Sequence, residues 1–237
     1  KAVAGFWVTR VTRNDDGSYS ICNVVGADEY ANGVDDNAFT NGAAIRALEY
    51  ACEAAKICNE PVPEIWEEVG KGIRILRFKD GVTREHATYN GEMIKQADVN
   101  LLGYPLYFVG DAESQKKDME YYVDKIDPQN GPAMSYSVFC VQYARMGDAK
   151  RAYEMFCRCY QPNLRAPFGV LAETPTSDNP YFMTGAGGLL QAVINGFCGL
   201  QITDGGVEQL SSVLPAHWKK VTVKGVEPEK KMYVRER

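Results

Sequence analysis

The chain has 237 residues, 45% of them hydrophobic, with a formal net charge of −5 and a pI near 5.2. That supplies apolar material for one sizeable core, or for part of a larger domain. The acidic balance and scattered Lys and Arg exclude nucleic acid as a partner, and no apolar run of about 18 residues is present to span a membrane.

Seven cysteines form no CxxC pair, and the two histidines, His86 and His217, stand apart from any Cys or carboxylate cluster. Neither a zinc site nor a Ser-His-Asp triad is expected, and no cofactor is called for. The chain starts at Lys1 without Met or a signal peptide, which fits a fragment of a longer protein.

In chain order, residues 1–23 alternate weakly around Phe6 and Trp7, turn at 14–17, and lead into an extended segment over 18–25. Apolar residues at helical spacing predict a helix over 37–57, ended by Asn59-Glu60-Pro61, and a second over 63–72. Residues 73–78 alternate and turn at Lys79-Asp80-Gly81, as in a β-hairpin or extended excursion. A helix is expected over 92–102, broken by Gly103-Tyr104-Pro105, then an apolar stretch over 106–109 and a helix over 114–126 capped by Ser114. Residues 133–146 and 148–160 read as a helical hairpin over Gly147, and 161–180 as a long irregular loop, either a lid or a site wall. A glycine-rich helix follows over 184–198. Short strands occupy 207–226, clearest at Leu214-Pro215 and Val221-Thr222-Val223, and the basic tail reads as a solvated end.

Chemistry concentrates in residues 24–40, where Asp28, Glu29, Asp35 and Asp36 surround a glycine-containing turn just before a helix. Asp35, Asp36 and Asn37 suit a helix start. Glu29 is held in a loop between Gly26 and Gly33 and is followed by Tyr30, and a carboxyl beside aromatics can have its pKa raised and serve as a general acid. Lys95 and Gln96, adjacent in Lys95-Gln96-Ala97-Asp98-Val99, can offer several donors to one ligand. Alternatively, Lys95 pairs with Asp98 on a helix surface. Glu173, in the long loop, is either a second reactive carboxylate or a solvated glutamate, and Trp66 packs its helix rather than forming a platform.

These motifs resemble the signatures of glycoside hydrolase family 65. Val25 to Tyr30 and Val34-Asp35-Asp36-Asn37-Ala38-Phe39-Thr40-Asn41 follow the family's Val-x-Gly-Pro-Asp-Glu-Tyr and Val-Asp-Asn-Asn-Ala-Tyr-Thr-Asn patterns, with Ala27 in place of the proline. The resemblance extends to Lys95-Gln96-Ala97-Asp98-Val99 and to Phe182-Met183-Thr184-Gly185-Ala186-Gly187-Gly188-Leu189-Leu190-Gln191-Ala192-Val193. It implies a mainly α fold, the C-terminal half of an (α/α)6 barrel over 1–205, followed by the start of a small β-domain over 206–237. It implies Glu29 as general acid, Glu173 as general base, and Lys95, Gln96, Tyr30 and Asp28 as substrate-binding residues, with no metal.

Where family phosphorylases carry a His and serines for phosphate, this chain reads Asn130-Gly131-Pro132-Ala133-Met134-Ser135-Tyr136-Ser137 and lacks the His. The resemblance therefore implies an inverting α-glucoside hydrolase releasing β-glucose from α-1,2-linked glucosides. A family 65 phosphorylase, a trehalose or maltose hydrolase, and a non-catalytic sugar-binding fragment are the alternatives. The implied partners are a small glucoside and the missing N-terminal half of the same domain, with a homodimer left open, and the implied location is periplasmic or secreted.

Overall fold

The fold, taken from a computed structural model, is described for residues 1–108, 111–179 and 181–237. It is mostly helical, with small antiparallel two-stranded sheets. Contacts divide it into two compact units, Lys1–Lys125 and Ile126–Arg237.

The first unit is built on α2, Ala38–Ile57. Asn37 precedes it in an extended conformation and its side chain accepts the Thr40 N–H, so the first turn is capped as expected. Ala44, Ile45, Leu48, Cys52 and Ala55 fall on one stripe and pack on Trp66 and Val69 of α3, Glu64–Gly72, and on Ala4 of α1, Ala2–Arg10. Burying a side chain such as Leu48 contributes about 1.5–3 kcal/mol. Trp66 belongs to this core, as read from its surroundings in sequence. Glu64 and Glu67 favour the start of α3, and Lys71 pairs with Glu67 at 3.1 Å one turn on.

Four expectations in this unit need correction. Residues 2–10 form a helix, not a weakly alternating lead-in, and the extended segment expected over 18–25 is a strand only at β2, Tyr19–Ser20, paired with β1, Thr12–Arg13. The helix expected over 92–102 exists only as a 3₁₀ turn, Val99–Leu102. Its would-be first turns send their N–H groups elsewhere: Ile94 N–H donates to Lys125 O, and Lys95 N–H to Asp28 Oδ1. The β-hairpin or extended excursion expected over 73–78 with its turn at 79–81 is narrowed to one isolated antiparallel bridge, Arg77 to Thr83, around a turn in which Gly81 N–H donates to Phe78 O. Finally, α4 spans Ala112–Tyr122 and is capped by Asp111, whose carboxylate accepts the Ser114 N–H at 2.7 Å, so Ser114 is not the cap. Of the apolar stretch over 106–109, Val109 lies outside the described residues.

The second unit contains the expected helical hairpin, α5 (Met134–Arg145) and α6 (Ala149–Arg158), turned at Gly147 with φ +87°. α5 is buried along most of its length, whereas α6 buries Ala152 and Met155. Residues 161–180 hold a 3₁₀ turn and a miniature hairpin, β3 (Leu164–Arg165) with β4 (Val170–Leu171), and Pro180 lies outside the described residues. α7, Met183–Gln191, runs into a π-helical turn, Ala192–Phe197. Phe197 joins Tyr153, Phe156 and Trp218 in edge-to-face ring contacts.

Two hairpins finish the chain: β5 (Leu200–Thr203) with β6 (Gly206–Gln209), and β7 (Lys220–Val226) with β8 (Lys231–Glu236). Val221-Thr222-Val223 lies in β7 as expected, but Leu214-Pro215 lies between strands, where Pro215 accepts the Trp218 N–H in a turn. The basic tail is mostly exposed, as expected of a solvated end, and is in addition a paired strand. Arg235 reaches the carbonyl oxygens of Cys198 and Leu210.

Candidate active site

Residues 25–33 form a loop whose ends are tied by reciprocal bonds between Val24 and Val34, at 2.9 and 3.0 Å. Glu29 sits on this loop with 60% of its side chain exposed, and its Oε2 lies 2.5 Å from the Lys95 ammonium. The expectation of a raised Glu29 pKa is not met in the unliganded chain. Lys95, and secondarily Gln96, hold the carboxyl below its usual range and outweigh its slight desolvation. Asp28 is buried beneath the loop, where its Oδ1 accepts the Lys95 N–H at 2.7 Å and the Tyr30 N–H at 3.2 Å. The signature loop and the Lys95-Gln96 segment are thus joined twice, once through a side-chain ion pair and once through backbone.

Asp98 fixes this arrangement. It is fully buried and does not pair with Lys95 on a helix surface. One oxygen accepts Ala27 N–H at 2.8 Å, Asp28 N–H at 3.3 Å and Asn37 Nδ2 at 3.0 Å, and the other accepts Phe39 N–H at 3.3 Å. Burial raises its pKa to about 6 against the opposing pull of these donors. Gly26 is required here, because a Cβ at that position would stand 2.3 Å from Asn37 Nδ2 and 2.5 Å from Asp98 Oδ2. Asp36, with φ +53°, is equally structural: it pairs with Arg74 and accepts the Ser20 hydroxyl at 3.1 Å. Asp35 accepts the Asn23 N–H at 2.8 Å.

Tyr30 is half exposed and walls a cleft of about 270 Å³ with Asp28, Asn32, His86, Tyr89 and Met93. Gln96 is buried, beside Glu29. Lys95, Gln96, Tyr30, Asp28 and Glu29 are therefore brought together in the first unit, next to a cleft with both aromatic and polar walls.

Glu173 lies in the second unit, partly buried in the loop after β4. Its carbonyl accepts Ala133 N–H at 3.1 Å and Asn163 Nδ2 at 3.0 Å, and its carboxylate accepts from Asn179 Nδ2 at 3.5 Å. Arg165 clamps the same loop, donating to the carbonyls of Thr174, Pro175 and Ser177 at 3.2, 2.8 and 2.7 Å. In the stretch that corresponds to the phosphate loop, Ser137 donates to Met134 O at 2.5 Å and is wedged against Gly188.

Asp98, Asn37, Asn163, Arg165 and the buried Glu85 escape sequence reasoning as site-building residues. Asp98 stands inside the Lys-Gln-Ala-Asp-Val match and could have been found there. Asn37 is legible only as a helix cap, and Asn163, Arg165 and Glu85 carry no local signal. Among the described residues, no group of three His, Cys, Asp or Glu side chains is gathered to hold a metal, and no helix is long and apolar enough to cross a membrane.

Residues 2–73 match the family model "Glycosyl hydrolase family 65 central catalytic domain". The chain is 50% identical to a kojibiose hydrolase of Mucilaginibacter mallensis over 98% of its own length and 34% of the relative's. It is 37% identical to a protein-glucosylgalactosylhydroxylysine glucosidase of Danio rerio, over 94% of this chain and 34% of that protein. The chain thus spans about a third of the length of these curated relatives. A solved chain from the human microbiome, described as a candidate kojibiose phosphorylase, superposes with a TM-score of 0.70 at 18% identity, covering 93% of this chain and 36% of that one. That likeness shows a shared fold.

Proposed function

We propose that this chain, which belongs to glycosyl hydrolase family 65, is part of an inverting α-glucosidase acting on α-1,2-linked glucosides of the kojibiose or glucosyl-galactosyl-hydroxylysine kind. It would form the C-terminal half of an (α/α)6 catalytic barrel over 1–205 and the start of a β-domain over 206–237. The rest of the barrel would be supplied by the same polypeptide. The same reading places the enzyme in the periplasm or outside the cell, which fractionation against an envelope marker checks.

The observation that carries the reading is the coupling of Glu29 to Lys95 within one hydrogen-bonded loop system. Glu29 donates a proton to the glycosidic oxygen, and Lys95 and Gln96 hold hydroxyls of the glucose whose bond is cut. As Lys95 turns to the sugar, Glu29 loses the cation that favours its ionised form, so sugar binding itself raises the acid's proton affinity. Glu173 takes a proton from the attacking water, and β-glucose leaves with inverted configuration. Tyr30 and Asp28 wall the adjacent cleft. Water rather than phosphate as nucleophile is supported by the missing His and by the Ser137 hydroxyl, which is committed to its own helix.

The test separates protonation from the rest of the chemistry. In the full-length polypeptide, Glu29→Gln should lose about 10²–10⁴-fold in kcat on kojibiose, yet keep most of its activity on α-glucosyl fluoride, whose leaving group needs no proton. Equal loss on both substrates would contradict the role of Glu29 as acid.

A further inference from the structure

Behind the signature loop lies a carboxyl that the proposed mechanism does not use. Glu85 is fully buried; among the described residues no donor group reaches either of its oxygens, and its carboxyl lies within hydrogen-bonding reach of the Asp28 carboxyl. Its backbone is built into the site: Glu85 O accepts Ala38 N–H at 2.7 Å and Asn37 Nδ2 at 3.5 Å, at the start of α2. Asp98 and Asp28 act on its carboxyl most strongly and Glu92 less, and it acts in turn on the hydroxyls of Tyr89 and Tyr122. The charged groups that act on it most strongly are all acids, and with Asp28 and Asp98 it makes three buried acids in one region.

Such a group cannot be fully ionised. A buried carboxylate without donors costs far more than a buried neutral acid, and two like charges beside it add to the cost. Asp28 and Asp98 each have N–H donors, and Glu85 has none. The proton therefore belongs on Glu85.

Resting on the proposed acid role of Glu29, we infer that Glu85 is a positioning residue that stands uncharged beside Asp28, so that Asp28 can hold the Glu29 loop onto the Lys95 segment. A charge on Glu85 would repel Asp28 from beneath the loop. A truncated side chain would leave Asp28 unsupported. Either change acts on Glu29 only through Asp28, whose Oδ1 grips Tyr30 N–H and Lys95 N–H.

The pH dependence has a definite sign. Burial and the neighbouring acids push the Glu85 carboxyl up to about 10, above the 4.5 it has when free. In the unfolded chain it ionises near its free value, so from there to about pH 10 the folded state alone keeps the proton. Stability is then unpenalised at low pH and falls steadily as pH rises through that window. A glutamine cannot ionise in either state and removes the slope.

The experiment uses the full-length polypeptide with Glu85→Gln and Glu85→Ala. Glu85→Gln should melt higher than wild type at pH 8, with a gain that shrinks towards zero near pH 4. It should also keep kcat/KM on kojibiose within about threefold. In Glu85→Ala the amides of Ala27, Asp28 and Tyr30 should exchange at least about tenfold faster, while that of Leu48 in α2 is unchanged. A melting gain independent of pH, or loop amides in Glu85→Gln as fast as in Glu85→Ala, would overturn the inference. Melting and exchange are read without substrate. A protein that shows them but cleaves no glucoside therefore refutes the enzymatic reading and not the state of Glu85, whereas an active glucosidase lacking them refutes Glu85 alone.

Discussion

Lys95 meets the loop of Glu29 twice over: its ammonium lies 2.5 Å from the Glu29 carboxylate, and its own N–H lies 2.7 Å from Asp28 Oδ1. The first contact sets the charge of the acid and the second sets where the acid stands. Replacing the side chain therefore separates electrostatics from position. Lys95→Met should raise the Glu29 pKa, because the largest influence holding it down is gone. The alkaline limb of kcat/KM, which needs Glu29 protonated, should move to higher pH. If Lys95 holds the sugar as proposed, the same variant should also lose about 10–100-fold in kcat/KM. A pH–rate profile checks both, and an alkaline limb that stays fixed or moves down would contradict the pairing.

The close approach at Gly26 gives a stability prediction. A methyl group there meets Asn37 and Asp98 in the middle of the anchor. Gly26→Ala should cost about 1–3 kcal/mol, the usual range for overpacking, and should slow catalysis as well. Urea unfolding measures the first effect. Ala27→Pro, which restores the family's residue, is predicted to lose the Ala27 N–H to Asp98 bond of 2.8 Å in this chain.

In the second unit, Arg165 spans the loop of Glu173 by three carbonyl bonds. Arg165→Ala should free that loop and lower kcat by about tenfold while leaving the α5–α6 hairpin intact, as read by kinetics and by amide exchange. Glu173→Ala should cost more, about 10²–10⁴-fold, if Glu173 activates the water. Equal effects would point to a purely structural loop.

The parts of this fold that a sequence reader can recover are those whose bonds are local. α2 and α3 announce themselves through an Asn cap, a Pro start and apolar residues at helical spacing, and the α5–α6 hairpin through Gly147. Residues 92–98 look helical and are not, because their N–H groups are taken by Asp28 and Lys125, partners that no local pattern reveals. α1 has neither a capping side chain nor a clear apolar stripe, so its sequence argues weakly for a helix. The site divides in the same way. Glu29, Lys95 and Gln96 are visible as motif residues, but the ion pair joins positions 66 apart, and the burial of Asp98 and Glu85 is a property of the packed unit.

The most direct measurement of the central claim is the anomeric form of the sugar released by the full-length polypeptide, followed by proton NMR. Kojibiose, trehalose and maltose would each be incubated with and without inorganic phosphate. The account predicts free β-glucose from kojibiose, formed at the same rate without phosphate. β-Glucose 1-phosphate formed only when phosphate is present, or α-glucose as the first product, would contradict it.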